Sequence, residues 1–295
     1  ADRVIRRPSR RAFVSRLAAL AASAGIIFKP QTAHAQQPAS PRRIGALFVA
    51  FPSEGKEAQT FRQALRDAGY AEGRDVVIEW RFDYDRIPEE AEDLVERKVE
   101  VIVVTTTLAA QAVKRATSTI PIVMAIVADP IGSGLVTSLA HPGGNVTGLS
   151  LMMADLTAKR LQLLKEMIPH LTRAAVLWNP NTPYHPKVIQ DLKAVAPSLS
   201  IELSFVAAQA PKQFGQAFSA VHRARAQALY VIEDPVFFSH RMTLVKLASK
   251  ARLPIIYWVK EFAEAGGLMS YGANYSDLTR RSVGYVDKIL KGAKP

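Results

Sequence analysis

The feature that most limits what this chain can fold into is an alternation. Short runs of β-branched and apolar residues recur, separated each time by amphipathic stretches of helical length. From residue 43 the pattern predicts a strand over 43–50 and a helix over 57–68 stopped by Gly69. Next come a strand over 76–81 and a helix over 87–98 with Pro88 in its first turn, where a missing N–H is harmless. A strand at 99–104, a helix at 108–116 and a strand at 122–127 follow. The same grammar restarts with helices at 156–168, 188–196, 212–225 and 239–251 between strands at 174–178, 201–206, 228–232 and 254–258. A short strand at 266–272 and a helix at 275–290 close the chain. Strict β/α alternation specifies parallel sheets covered by helices. At ~150 residues per domain, 295 residues accommodate two such units. The expected class is therefore α/β, two doubly wound parallel-sheet lobes joined by a hinge.

The segment between the units reads as a cleft floor. Pro121 opens the buried run 122–127, which stops at Ala128-Asp129-Pro130, and Gly132-Ser133-Gly134 leads into a short helical pattern. His141-Pro142-Gly143-Gly144-Asn145 is a turn by composition, and a strand at 146–151 follows it. Ser150 is then expected at the first hinge, with Gly266, Gly267 and Ser270 at the return. On this division residues 42–150 and 268–295 form the N-terminal lobe and 151–267 the C-terminal lobe.

A net charge of +12 invites a nucleic-acid reading, but its distribution argues against one. Residues 1–35 hold seven of the 38 cations and one of the 26 anions, which leaves +6 on all the rest. That leader has the order of an export signal: Ser9-Arg10-Arg11-Ala12-Phe13-Val14 as a twin-arginine pattern, an apolar stretch over 17–28, then Ala33-His34-Ala35. The apolar stretch is short of the ~20 residues that span a bilayer. Cleavage after Ala35 into the periplasm, with 36–41 as a linker, is the expectation, by the twin-arginine or the general route. The chain has no Cys, so no disulfide and no acylated cysteine can form.

In open parallel sheets, ligands sit beyond the carboxyl ends of the strands where strand order reverses. The candidate ligand-binding set read from those ends is Ser53, Thr106, Thr107, Asp129, Asn179, Asn181, Tyr184, Asp234, Tyr257 and Trp258. Thr106 and Thr107 precede a helix and suit an anion; Asp129, Asp234 or the neighbouring Glu233 suits an ammonium or hydroxyls; Tyr184, Tyr257 or Trp258 supplies flat walls. Each has a structural alternative: an N-cap for the threonines, a turn before Pro130 or Pro235 for the aspartates, core for Trp258. Catalytic signatures are missing. Ala50-Phe51-Pro52-Ser53 is no dinucleotide loop, and the chain lacks a P-loop and a nucleophile elbow. Its six histidines are scattered, so neither a cofactor nor a metal is expected.

Several runs resemble one family. They are Ala116-Thr117-Ser118-Thr119-Ile120-Pro121-Ile122-Val123, Asp129-Pro130-Ile131-Gly132-Ser133-Gly134-Leu135-Val136, Pro142-Gly143-Gly144-Asn145-Val146-Thr147-Gly148 and Ala158-Lys159-Arg160-Leu161. Ala175-Val176-Leu177-Trp178-Asn179-Pro180, Asp234-Pro235-Val236-Phe237-Phe238 and Gly266-Gly267-Leu268-Met269-Ser270-Tyr271-Gly272 complete the set. Over 42–295, in order, they are similar to the ABC-transporter substrate-binding protein family, with a class I periplasmic-binding-protein fold. The resemblance implies a monomeric, non-enzymatic receptor that delivers a small molecule to an ABC permease and its ATPase, touching the membrane only through them and binding no nucleic acid. It favours an aromatic amino acid, although a sugar, a purine or a peptide also fits the residue types. A ligand sensor partnering a membrane protein, or an exported enzyme using Asp129 or Glu233 as general acid or base, are the alternatives. Relatives usually continue beyond the Lys288–Pro295 stretch with a segment that makes a third crossing between lobes, so a piece of a longer chain or a two-crossing hinge is expected here.

Overall fold

The computed structural model describes residues 40–151 and 153–295. The expected export signal, 1–35, and most of the expected linker lie outside the described residues. The first lobe is built on β1 (Arg42–Leu47), β2 (Val76–Arg81), β3 (Val101–Val104), β4 (Ile122–Val127) and β5 (Val146–Ser150), all parallel, in the order β2-β1-β3-β4-β5. Helices α1 (Lys56–Asp67), α2 (Ile87–Glu96) and α3 (Thr107–Ala116) connect them. After α4 (Met153–Met167) the second sheet forms from β6 (Arg173–Trp178), β7 (Glu202–Ala207), β8 (Ala228–Val231), β9 (Ile255–Tyr257) and β10 (Met269–Ser270). Its order is β10-β9-β8-β6-β7, again all parallel. Its helices are α5 (His185–Val195), α6 (Phe214–Arg223), α7 (Pro235–Ser239), α8 (Arg241–Ala251) and α9 (Lys260–Glu264). Finally α10 (Tyr275–Leu290) returns to the first lobe and packs on α1 and β4. The expected fold class holds.

Burial explains which runs became inner strands. Every residue of β3 and β4 is buried, as a β-branched strand covered on both faces requires, whereas the edge strand β7 alternates less and stays half-exposed. Strand order reverses between β1 and β3 in one sheet and between β6 and β8 in the other. These two switch points decide where a cleft forms. In β5, Gly148 adopts φ +129°, and a Cβ there would lie 2.3 Å from the Met124 carbonyl oxygen. Only glycine allows this approach, which coincides with the shift in β4–β5 register between Met124 and Val127.

Several expectations need correction. Residues after Gly132 form turns rather than a short helix, because the Asp129 side chain and carbonyl take up the free N–H groups. The helix expected over 239–251 is two helices meeting at His240, since Asp234 starts α7 early. Residues 260–264 form α9, which no strong periodicity marks. Met269–Ser270 pairs with β9, so the short last strand belongs to the second lobe and the return crossing falls at 271–274. Gly266 and Gly267 instead end α9: their N–H groups bond the Ala263 and Phe262 carbonyls, and Gly266 has φ +96°. Ser270 pairs with Tyr257 inside the sheet, while Ser150, opposite Val127, is the last residue of β5 before the first crossing.

Candidate functional site

The two switch points face each other and enclose a small inner chamber of about 40 Å³. The first lobe contributes Ala50 and Phe51 beyond β1, the segment Thr105–Leu108 beyond β3, and Ile126, Ala128 and Leu151. Opposite lie Thr182 and Tyr184 beyond β6, Glu233–Pro235 beyond β8, and Phe238, with Tyr275 at the start of α10. A water needs about 10–15 Å³, so the chamber admits only a few in this conformation. It adjoins an outer chamber of about 800 Å³, with Ala50, Phe51, Leu108 and Pro235 common to both. Anything of amino-acid size reaches the inner space only if the lobes part. Across the seam the Ser239 hydroxyl donates to the Ala50 carbonyl at 3.2 Å, and the Phe51 and Phe238 rings meet at 5.3 Å within an apolar cluster that includes buried residues of both lobes. Ala50 itself is held at φ +71°, a conformation that a non-glycine residue adopts only under constraint.

On the first lobe the chamber is lined by the start of α3. The Thr106 hydroxyl caps the helix by accepting from Ala109 N at 3.1 Å, and the Thr107 hydroxyl accepts from Ala128 N at 3.3 Å. Helix geometry leaves the N–H groups of Thr107 and Leu108 without intrahelical acceptors, so this end of the chamber carries partial positive charge.

The second lobe supplies two adjacent acids with different fates. Asp234 is saturated. One oxygen caps α7 by accepting from Val236 N at 2.9 Å and Phe237 N at 3.1 Å. The other accepts from Asn179 Nδ2 at 3.1 Å and the Thr182 hydroxyl at 2.6 Å. Glu233 is half-used: Oε1 pairs with the Arg160 guanidinium, whereas Oε2 is buried without a hydrogen-bond partner. Its carbonyl accepts from the Tyr184 hydroxyl and from His185 Nε2, each at 2.7 Å. Because Asn179 N donates to Nδ1 of His185, the neutral ring must carry its proton on Nε2. Burial, more than any neighbour, holds the His185 pKa below 6.5 and keeps the ring uncharged. Burial likewise raises the Tyr184 and Tyr275 phenols, with Asp234 and Glu233 adding to the first and Glu233 to the second, so both stay protonated.

Of the residues expected at the site, Thr106, Thr107, Tyr184 and Asp234 line the inner chamber, and Asn179 and Asn181 the outer one. Ser53, Asp129, Tyr257 and Trp258 line neither. Ser53 is exposed beyond the rim, and Asp129 folds back to accept from Gly132 N at 2.8 Å. Tyr257 stacks on Phe262 with centroids 4.3 Å apart. Trp258 is core, and its indole N–H donates to the Tyr275 hydroxyl at 2.6 Å. Sequence reasoning omitted Phe51, Thr105, Thr182, Phe238 and Tyr275 from the set; it read Glu233 beside Asp129 and Asp234 as an acid suited to an ammonium or hydroxyls, yet left it out of the set as well. Phe51 and Thr105 directly follow predicted strands and were open to detection by the same rule; nothing local marks Tyr275. Among the described residues no three His, Asp or Glu side chains are placed to hold a metal ion.

Two parallel-sheet lobes closing over a chamber built from both switch points define a substrate-binding protein with the class I periplasmic-binding-protein fold. The chain belongs to the ABC transporter substrate binding protein family, whose model matches residues 45–295. It is 29% identical over 255 residues to the tyrosine-binding protein of Clostridioides difficile, covering 85% of this chain and 73% of that one. A crystal structure of a conserved domain protein from Vibrio cholerae superposes with a TM-score of 0.79 at 27% identity, covering 86% of each chain. The ABC domain from Streptococcus pneumonia, solved in complex with L-Trp, gives 0.78 at 26% identity, covering 87% of each chain. Proteins of this family bind small molecules and work with ABC transporters.

Proposed function

We propose that this protein captures a free amino acid, aromatic by preference, between its lobes and presents it to an ABC permease and its ATPase for import. The observation that carries the reading is Glu233 Oε2, buried without a hydrogen-bond partner on a residue that lines a chamber also lined by the N-terminus of α3. A buried carboxylate oxygen without a donor is costly, and a ligand ammonium would satisfy it. The N–H groups of Thr107 and Leu108 would take the ligand carboxylate, with the threonine hydroxyls beside them. Phe51, Tyr184, Phe238 and Tyr275 offer ring surface to the side chain. A zwitterion thus matches both ends of the chamber, and a ligand touching both lobes stabilises their closed arrangement. The names of the C. difficile and S. pneumonia relatives support tyrosine or tryptophan. The protein acts as a monomeric receptor rather than an enzyme, in the periplasm, after export and cleavage following Ala35.

A thermal-shift screen of the purified protein tests this with L-tyrosine, L-tryptophan, other amino acids, sugars, nucleosides and aromatic acids. A ligand at 100 times its dissociation constant contributes about 2.7 kcal/mol and moves the midpoint visibly. A shift with aromatic amino acids and none with their des-amino or decarboxylated analogues is expected. A shift confined to sugars or nucleosides overturns the reading.

A further inference from the structure

Arg160, on α4, is only 1% exposed and lines no chamber, yet every nitrogen of its guanidinium has a task. Nε donates to the Tyr271 carbonyl at 2.7 Å, one terminal nitrogen donates to the Tyr230 hydroxyl at 3.0 Å, and the other pairs with Glu233 Oε1. Tyr230 is fully buried on β8, so this donor is held from inside the sheet. Tyr271 is where the chain leaves β10 for the return crossing; its N–H donates to the Tyr257 carbonyl at 2.9 Å. Three residues after the crossing's Gly272 comes Tyr275, a wall of the inner chamber. Burial disfavours the charged guanidinium, but the neighbouring Glu233 and the Tyr230 hydroxyl outweigh it and raise the Arg160 pKa.

Geometry gives this arrangement a direction. An arginine with one carboxylate partner usually takes both oxygens in a two-pronged pair. Here the other prongs are committed to Tyr230 and Tyr271, so a single oxygen of Glu233 is used and the second is left over. We propose that Arg160 is a specificity-determining positioning residue: by holding Oε1 it fixes Glu233 so that Oε2, on a residue of the chamber lining, is left as the acceptor for a ligand's cationic group. It thereby selects ligands that carry an ammonium over otherwise identical ligands that lack one. The proposal rests on the amino-acid reading above and adds to it the group that sets the direction of the acceptor. Because the same guanidinium holds the Tyr271 carbonyl, the acceptor and the inter-lobe crossing share one rigid support.

The test is isothermal titration of the full chain with two probes, L-tyrosine and 3-(4-hydroxyphenyl)propionate, which differ only in the ammonium. Wild type is expected to prefer L-tyrosine by about 100-fold or more, and Glu233→Gln to reduce that ratio below about tenfold; these two proteins judge the amino-acid reading. Arg160→Met judges the present proposal. It should reduce the ratio to the Glu233→Gln level while the affinity for the propionate changes less than about threefold, and Arg160→Lys should restore most of the ratio. Should Arg160→Met fail to fold, Arg160→Gln, which keeps a donor but no charge, takes its place with the same expected loss. A ratio in the neutral variant within about threefold of wild type overturns the proposal. So does an equal loss of affinity for both probes, the mark of a purely structural role. If wild type shows no preference or binds neither probe, the amino-acid reading fails first and the proposal falls with it.

Discussion

Replacing Asp234 with alanine separates structural from ligand-binding roles at the site. Alanine removes four accepted hydrogen bonds: two to backbone N–H groups at the start of α7, and one each from Asn179 Nδ2 and the Thr182 hydroxyl. Losing an N-cap costs about 1 kcal/mol. Asn179 and Thr182 are both buried, at 2% exposure each, so their donors are stranded at about 1–3 kcal/mol apiece. The Thr182 hydroxyl can rotate toward another acceptor, and members of one network do not add fully, so about 3–5 kcal/mol is the expected total. For a folded unit of this size each kcal/mol moves the midpoint by about 2–4 °C, which predicts a fall of roughly 10 °C. Thermal melts followed by circular dichroism measure it. Asp234→Asn is the control. It keeps an acceptor for the cap, loses the one facing Asn179 and Thr182, and should fall between the two. In this folded control the affinity for L-tyrosine should change less than about tenfold, because neither oxygen of Asp234 is free for a ligand. An alanine variant within about 1 kcal/mol of wild type, or an asparagine variant that folds normally and loses binding, refutes the reasoning. Asp234 would then be a ligand group rather than the knot that ties the β6 and β8 loops together.

Three further outcomes follow from local geometry. Burial, then the facing charge of Glu261, raises the Glu57 carboxyl above its ordinary 4.5, so the folded protein keeps this proton to higher pH than the unfolded chain. The cost is absent below the unfolded value and grows as pH rises through the folded one. Glu57→Gln should therefore raise the melting midpoint at about pH 8 and lose that advantage towards pH 4; a difference independent of pH refutes it. Gly148→Ala forces a side chain onto the Met124 carbonyl at positive φ and should cost about 3 kcal/mol or more in urea unfolding. Thr106→Ala removes the α3 cap at a cost of about 1 kcal/mol by thermal melt, whereas Thr106→Ser should leave the midpoint nearly unchanged.

The architecture was legible because it is written in local periodicity. The spans expected for β2, β4 and α10 coincide with those observed, the last bounded by an Asn274 side chain that caps it. Strand ends as ligand positions followed from topology alone, and Thr106, Thr107, Tyr184 and Asp234 reached the inner chamber on that rule. What the sequence leaves open is where a side chain points once its strand has ended. Tyr257 and Trp258 sit at the correct end of β9, but one stacks on Phe262 and the other donates to Tyr275, both inside the protein. The short last strand went to the wrong lobe because two residues of pairing with β9 leave no periodic trace.

The two acids at the end of β8 show why residue type alone does not identify a ligand group. Glu233 and Asp234 are neighbours with the same charge, both buried, both in the chamber lining. The strand-end rule places Asp234 in the candidate set, although its position before Pro235 also suits a turn. What distinguishes them is the number of donors that reach each from elsewhere. Four converge on Asp234, from α7 and the loop after β6, and they exhaust it. One side chain, Arg160, reaches Glu233 from α4, 73 residues away, and occupies one oxygen. The remaining oxygen is a vacancy in the hydrogen-bond accounting of a buried site, and such a vacancy is what a cationic ligand can fill. In the proposed function Glu233 is the ligand group because of what the rest of the fold leaves unsatisfied, and that remainder exists only after Arg160 and the β8 strand end have been brought together.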